Sequence, residues 1–218
     1  MLSTSPVSGI MYGRAPYKTG ILNAKNDPTA GPNTPHYEII FGGGRYLGAA
    51  DSSSLPATRN FVSINTAVIT SKTVGSIAMT SPSIWVDPLV TLNYMDSDYE
   101  FYVMSQAIKE VLRIAKSPPL APYISGAWPP LENANTSELL TEYIKGYVIP
   151  SWHGAGTAAI GKWGTKDGVV NPDLTVKGVA NLRIVDSSVF PFLISAPTQA
   201  GVYAIAERAS DLIKAAHC

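Results

Sequence analysis

Apolar residues recur at helical spacing over residues 97–116, where Phe101, Met104, Ile108, Val111, Leu112 and Ala115 share a face; the pattern predicts an amphipathic helix. Asp96 or Ser97 is placed to cap it, and Pro118-Pro119 to end it. A shorter helix is expected over about residues 136–147 with Ser137 as its cap. A last one is expected over residues 199–216, with Val202, Ile205, Ala206, Ala209, Leu212 and Ile213 on one face. Elsewhere the period shortens. Residues 36–41 read as a strand closed by Gly42-Gly43-Gly44, residues 61–69 alternate as a second, and residues 75–79 form a third. Further strands are expected around residues 169–170 and 182–185. Turn residues crowd the first 35 positions, densest from Asp27 to Pro35, and a polar loop covers residues 48–58. A Pro-rich loop runs through Trp128-Pro129-Pro130. Strands mixed with a few helices, without regular βαβ alternation, predict an α+β fold: a mostly antiparallel sheet with flanking helices. It reads as a single domain over residues 1–218.

Composition narrows the partners. The 218 residues are 45% hydrophobic, enough for a sizeable core, and carry 16 basic against 16 acidic side chains. With no basic stripe, nucleic acid is excluded as a partner. No apolar run approaches the roughly 20 residues that span a bilayer, so no membrane association is expected. Residues Met1 to Pro6 lack the basic and apolar regions of a secretory leader, which points to a cytoplasmic location. The single cysteine, Cys218, leaves no disulfide framework and no cysteine-based zinc site; beside His217 alone it makes no metal site.

His153 is the leading candidate for chemistry. Histidine titrates near neutrality and can take or give a proton, and Gly154, Ala155 and Gly156 leave room for a ligand beside it. The alternative is a packed, hydrogen-bonded histidine. Trp152 is a candidate to line a pocket for a flat substrate, against core packing as the default for a tryptophan. His36, on a strand entry, reads as structural. Asp186 stands where an acidic group either approaches a ligand or caps the next turn. Asn135-Thr136-Ser137 is a glycosylation sequon, meaningful only in a secreted chain.

Several motifs then fall in one order. They are the run from Asp27 to Glu38, Asp87-Pro88-Leu89-Val90-Thr91-Leu92-Asn93-Tyr94-Met95, and Ser151-Trp152-His153-Gly154-Ala155-Gly156-Thr157. Asn181-Leu182-Arg183-Ile184-Val185-Asp186-Ser187-Ser188-Val189-Phe190-Pro191 and Ala196-Pro197-Thr198-Gln199-Ala200 complete the series. Over almost its whole length the chain resembles the C-terminal, substrate-binding part of glucose-methanol-choline (GMC) flavoproteins, nearest to fungal aryl-alcohol and polyketide-modifying members. The resemblance implies that His153 is the base that removes a hydroxyl proton as hydride leaves for the flavin. It implies that Ser187, Thr198 and Gln199 touch FAD if FAD is bound, and that Trp152 and Pro197 border the substrate.

The departures from the family pattern carry as much weight. The position before Thr198-Gln199, which in the family holds a second catalytic His or Asn, is Pro197, which has no side-chain donor or acceptor. Val74 stands where a basic residue is expected. Gly42-Gly43-Gly44 lacks the G-x-G-x-x-G spacing of a dinucleotide fingerprint, so the family's FAD-binding domain is not in evidence. The leading expectation is therefore a cofactor-independent enzyme. It would catalyse isomerisation, dehydration, cyclisation or a pericyclic ring closure of a small apolar substrate, with His153 as acid/base or hydrogen-bond donor. The alternatives are half of an FAD-dependent alcohol oxidoreductase, completed by a separate FAD-binding chain, and a non-catalytic binding remnant. In either case an uncovered apolar helix face predicts a homodimer or a complex with another chain.

Overall fold

The computed structural model describes residues 8–43 and 60–217. The polar loop expected over residues 48–58 lies outside them, as do Met1 to Pro6 and Cys218. The chain divides into two compact units: residues 1–73 with 94–151, and residues 74–93 with 152–218.

In the first unit β1 (Gly9–Gly13), β2 (Tyr37–Gly43) and β3 (Val62–Val68) form an antiparallel meander with β2 in the middle. Gly13 faces Tyr37 in register, and Tyr37 in turn faces Val68. A Cβ on Gly13 would lie 2.3 Å from the Tyr37 ring, so only glycine lets that ring lie across the edge strand. Helix α1 (Asp98–Ala115) covers one face of the sheet, and Val103, Ala107 and Val111 meet Tyr37, Ile39 and Leu22 in the main core. On its other side Met104 and Ile108 meet Leu140 and Ile144 of α3 (Ser137–Tyr147). Met104, Ile108 and Val111 belong to the stripe the sequence predicts, whereas Val103 and Ala107, which face the sheet, lay outside it.

Two caps differ from expectation. Helix α3 is capped by Thr136, whose hydroxyl accepts the Leu139 amide at 3.2 Å, and Ser137 is its first helical residue. Trp128-Pro129-Pro130 is not wholly loop: it opens the one-turn helix α2 (Pro129–Glu132), because proline at the first helical positions has its φ preset and lacks an amide the helix cannot use. Ser97 does stand at the N-cap of α1, but its hydroxyl donates to the Glu100 carboxylate instead of receiving a backbone amide. Glu100, 1% exposed, also accepts the Ser71 hydroxyl at 2.9 Å and the Lys72 amide at 2.7 Å. Burial pushes its carboxyl up, and these bonds outweigh that and hold it below the usual range.

The turn-rich run from Asp27 to Pro35 is organised by a buried ion cluster. Arg14 donates to Asp27 at 2.5 Å, to Gly31 O at 3.2 Å and to Thr34 O. His36, fully buried, accepts the Ala15 amide on Nδ1 at 3.0 Å, so its Nε2–H donates to Asp27 at 3.1 Å. Burial lowers the His36 pKa and its neutral form is held. Burial raises that of Asp27, but bonds from Thr29, His36 and Arg14 take it far below the carboxylate range. His36 is thus structural.

The second unit holds β4 (Ser76–Ala78) paired antiparallel with β5 (Leu89–Thr91), and α4 (Gln199–His217). Its core gathers Val170, Leu174, Val189 and Ala209. The strands expected around residues 169–170 and 182–185 are single bridges, Ile160 to Val170, Val170 to Val176 and Thr175 to Arg183. Left-handed residues at Gly164, Gly168, Leu174, Gly178 and Asn181 break the extended runs every few positions.

Candidate functional site

His153 lies on an irregular segment that a short ladder holds in place. The amides of Gly156, Ala158 and Ile160 donate to the carbonyls of Ser187, Ser188 and Val189 at 3.2, 2.8 and 2.9 Å. The Ser187 hydroxyl donates to Gly154 O at 3.0 Å. Gly156 turns at φ 85° and permits the bend. On the opposing side, Asp186 accepts the Ser188 amide at 2.7 Å and so caps a 3-10 turn over Ser187–Val189. Of the two roles open to Asp186, capping is the one with a hydrogen bond behind it. Everything after His153 is thus tied down, while His153 itself is exposed and Trp152 is 71% exposed. Trp152 adopts φ 55°, a conformation that is an outlier for a bulky side chain and collects at functional sites.

Residues 187–190 also reach the start of α4. Phe190 is buried, and a Cβ on Gly201 would lie 2.8 Å from its ring. Sequence reasoning passed over this pair; a glycine in the first turn of a helix, where it weakens the helix, was the available signal. The carbonyl of Thr198 accepts the Val202 amide at 3.0 Å, which makes Thr198 the residue that opens the helix. Thr198 is buried, Pro197 and Ser187 are half-buried, and Gln199 is exposed. The structure therefore places Ser187 on the rungs that carry the histidine segment, and joins that segment through Phe190 to the helix that begins at Gln199. A second feature missed from the sequence is Lys177. Its ammonium gathers the carbonyls of Lys162 and Thr165, each at 3.1 Å, and of Asp167, closing the loop that follows the histidine segment.

The second unit exposes much apolar surface. Met79, Ile84 and Trp85 are 87%, 90% and 91% exposed, and Ile77, Leu89, Val90 and Leu92 are also exposed. On α4, Ala209 is buried and Val202, Ile205 and Leu212 are half-buried, whereas Tyr203 and Ile213 remain exposed. A cavity of about 520 Å³ belongs to the first unit, where Tyr94, Met95, Phe101 and Lys145 help line it. It takes no wall from the His153 segment. Among the described residues no cluster of His, Cys, Asp and Glu fits a metal ion, and no helix is long and apolar enough to cross a membrane.

The family model for GMC oxidoreductases matches residues 71–206. The chain belongs to the GMC oxidoreductase family. This GMC chain is 34% identical to the dehydrogenase eriK of Hericium erinaceus over 90% of its length, and 29% identical to pyranose dehydrogenase 3 of Leucoagaricus meleagris over 86%. In both cases it spans about a third, 32%, of the relative's length. Its fold is similar to that of a variant of the formate oxidase of Aspergillus oryzae RIB40, solved for its FAD modification. The TM-score is 0.80 at 23% identity, over 88% of this chain and 33% of the oxidase. The chain is the C-terminal portion of the family architecture.

FAD is the cofactor the family implies, and the GMC chain fits part of it. The first-turn amides of α4, at Gln199, Ala200 and Gly201, have no acceptor within the helix. With the Gln199 amide group they supply donors suited to the carbonyl edge of a flavin ring. For the pyrophosphate the fit fails, because no described strand runs through a glycine-rich turn straight into a helix.

Proposed function

We propose that this GMC chain supplies the histidine-bearing part of an FAD-dependent oxidoreductase acting on the CH–OH group of a small molecule. The pyrophosphate end of FAD would be held by polypeptide outside these 218 residues. One observation carries the reading. The segment after His153 is fixed by a backbone ladder, yet His153 and Trp152 stand exposed. That is a positioned catalytic group whose remaining walls come from elsewhere, and catalysis by positioning alone needs a site that encloses its substrate. The redox activities named for the relatives support the same choice.

Bound FAD supplies the acceptor for a hydride from the substrate carbon. The chain's own residues do the rest. The imidazole of His153 accepts the proton of the substrate hydroxyl as C–H cleavage develops. Trp152 offers its ring to the substrate and keeps water from the imidazole. Gln199 and the first amides of α4 orient the flavin edge. Pro197 supplies shape and no proton transfer, so at this site the proton falls to His153. The missing part comes from the same longer polypeptide or from a second chain.

Pro197 favours one further reading. A site without the second proton-transfer group suits a reaction that needs no hydride acceptor: isomerisation, dehydration, cyclisation or pericyclic closure, with no cofactor and His153 as acid/base or hydrogen-bond donor. An absorption spectrum of the protein purified at its natural length from its native source separates the two. Stoichiometric flavin is expected. A flavin-free protein with turnover sensitive to His153→Ala would overturn the redox reading in favour of the second.

A further inference from the structure

We propose that Asn135 carries an N-linked glycan whose innermost sugars rest in the aromatic groove beside it. Asn135-Thr136-Ser137 has the acceptor spacing. Asn135 and Ser137 are both exposed, on the turn that leads into α3. The side-chain amide of Asn135 takes part in no hydrogen bond among the described residues, and the turn is held through its backbone, Asn135 N to Asn133 O at 3.0 Å. The Thr136 hydroxyl is committed to capping α3, whereas that of Ser137 has no partner there. Modification of Asn135 therefore breaks nothing in the fold.

The groove is the second, independent observation. A hollow of about 200 Å³ lined by Pro130, Asn133, Ala134, Leu139, Glu142, Tyr143 and Tyr147 adjoins the sequon. Tyr143 and Tyr147, both in the lining, lie 4.9 Å apart between ring centroids, and Trp128 meets Tyr147 at 4.8 Å. Leu139 and Tyr147 are 43% and 39% exposed. Aromatic faces edged by amide and carboxylate groups match a pyranose ring, which presents C–H bonds on one face and hydroxyls round its rim. In the transfer itself the Asn135 amide nitrogen attacks the anomeric carbon of a polyisoprenyl-pyrophosphate-linked oligosaccharide. The C–N bond forms, the C–O bond to pyrophosphate breaks, the lipid pyrophosphate departs, and the amide nitrogen loses one proton. The proposal places the protein in the secretory pathway, in place of the cytoplasmic location expected from Met1 to Pro6. It is independent of the redox reading.

The test is peptide mapping of protein from its native source after peptide N-glycosidase treatment in heavy-oxygen water. Conversion of Asn135 to labelled aspartate is expected, lost in Ser137→Ala and kept in Ser137→Thr. Unmodified Asn135 would overturn the proposal. Ser137→Ala should lower Tm by about 2–4 °C in the glycosylating host, but not in a bacterial host, and not on a Tyr147→Ala background. An occupied Asn135 with the same Tm in all of these would overturn the seat in the groove.

Discussion

Replacing Asp27 by alanine tests the ion cluster that organises the turn-rich start of the first unit. The carboxylate receives His36 Nε2–H at 3.1 Å, Arg14 Nη2 at 2.5 Å, and the Thr29 amide and hydroxyl at 2.9 and 2.6 Å. Its removal leaves the wholly buried His36 N–H without an acceptor and a guanidinium, 25% exposed, without its counter-ion. A buried donor left unpaired costs about 1–3 kcal/mol, and breaking a buried ion pair about 3–5 kcal/mol. Arg14 keeps the Gly31 and Thr34 carbonyls and some water, so the total should fall near the lower end, about 3 kcal/mol. That is roughly 6–12 °C in Tm for a chain of this size, read by urea and thermal unfolding followed by circular dichroism. The pH dependence has a definite sign. Both groups have folded pKa values below their unfolded ones. Their stabilisation is complete above the unfolded histidine value of about 6.5 and fades with acid. The His36 contribution goes first, below that pH, and the Asp27 contribution follows below about 4. The variant should lose the acid limb assigned to Asp27. A cost under about 1 kcal/mol with an unchanged acid limb would refute the reasoning.

Three further outcomes follow from the geometry. Trp152→Gly should raise stability by about 1 kcal/mol by relieving its left-handed backbone, while weakening substrate binding, seen as a higher KM. Equal KM values would remove Trp152 from the site. Ser187→Ala deletes the bond to Gly154 O and should cost about 0.5–1.5 kcal/mol; loss of kcat with KM nearly unchanged would mark it as positioning the histidine segment. Gly201→Ala drives a methyl to 2.8 Å from the Phe190 ring and should destabilise by about 1–3 kcal/mol in a denaturant melt; a neutral result would mean the ring swings clear.

Periodicity located α1, α3 and α4, because each buries a face that its apolar spacing records; β2 and β3 read as apolar or alternating runs bounded by turn residues, and so did β4, although all three of its residues are exposed. The pattern missed β1 and β5. Gly9 and Gly13 deprive β1 of side chains, and Leu89–Thr91 is too short to alternate. It overcounted strands after residue 168, where Val and Ile look extended but left-handed residues such as Leu174 and Asn181 interrupt pairing. The cap of α3 shifted by one because Thr136 and Ser137 carry the same hydroxyl chemistry and only geometry chooses between them. At the proposed site, the case for His153 rests on its small neighbours and motif. The Ser187–Gly154 bond, the Phe190–Gly201 contact and the Lys177 carbonyl cluster were not legible, since each joins residues ten or more positions apart with no spacing rule to announce them.

The central claim, that His153 is the base facing a flavin completed from outside these residues, is tested most directly by rapid anaerobic mixing. The natural-length protein is mixed with a small primary alcohol and flavin bleaching is followed. The account predicts full bleaching in the wild type. It predicts a His153→Ala variant that keeps its flavin but reduces it about 10²–10⁴-fold more slowly. Equal reduction rates in the two proteins, or a wild type that carries no flavin to bleach, would contradict it.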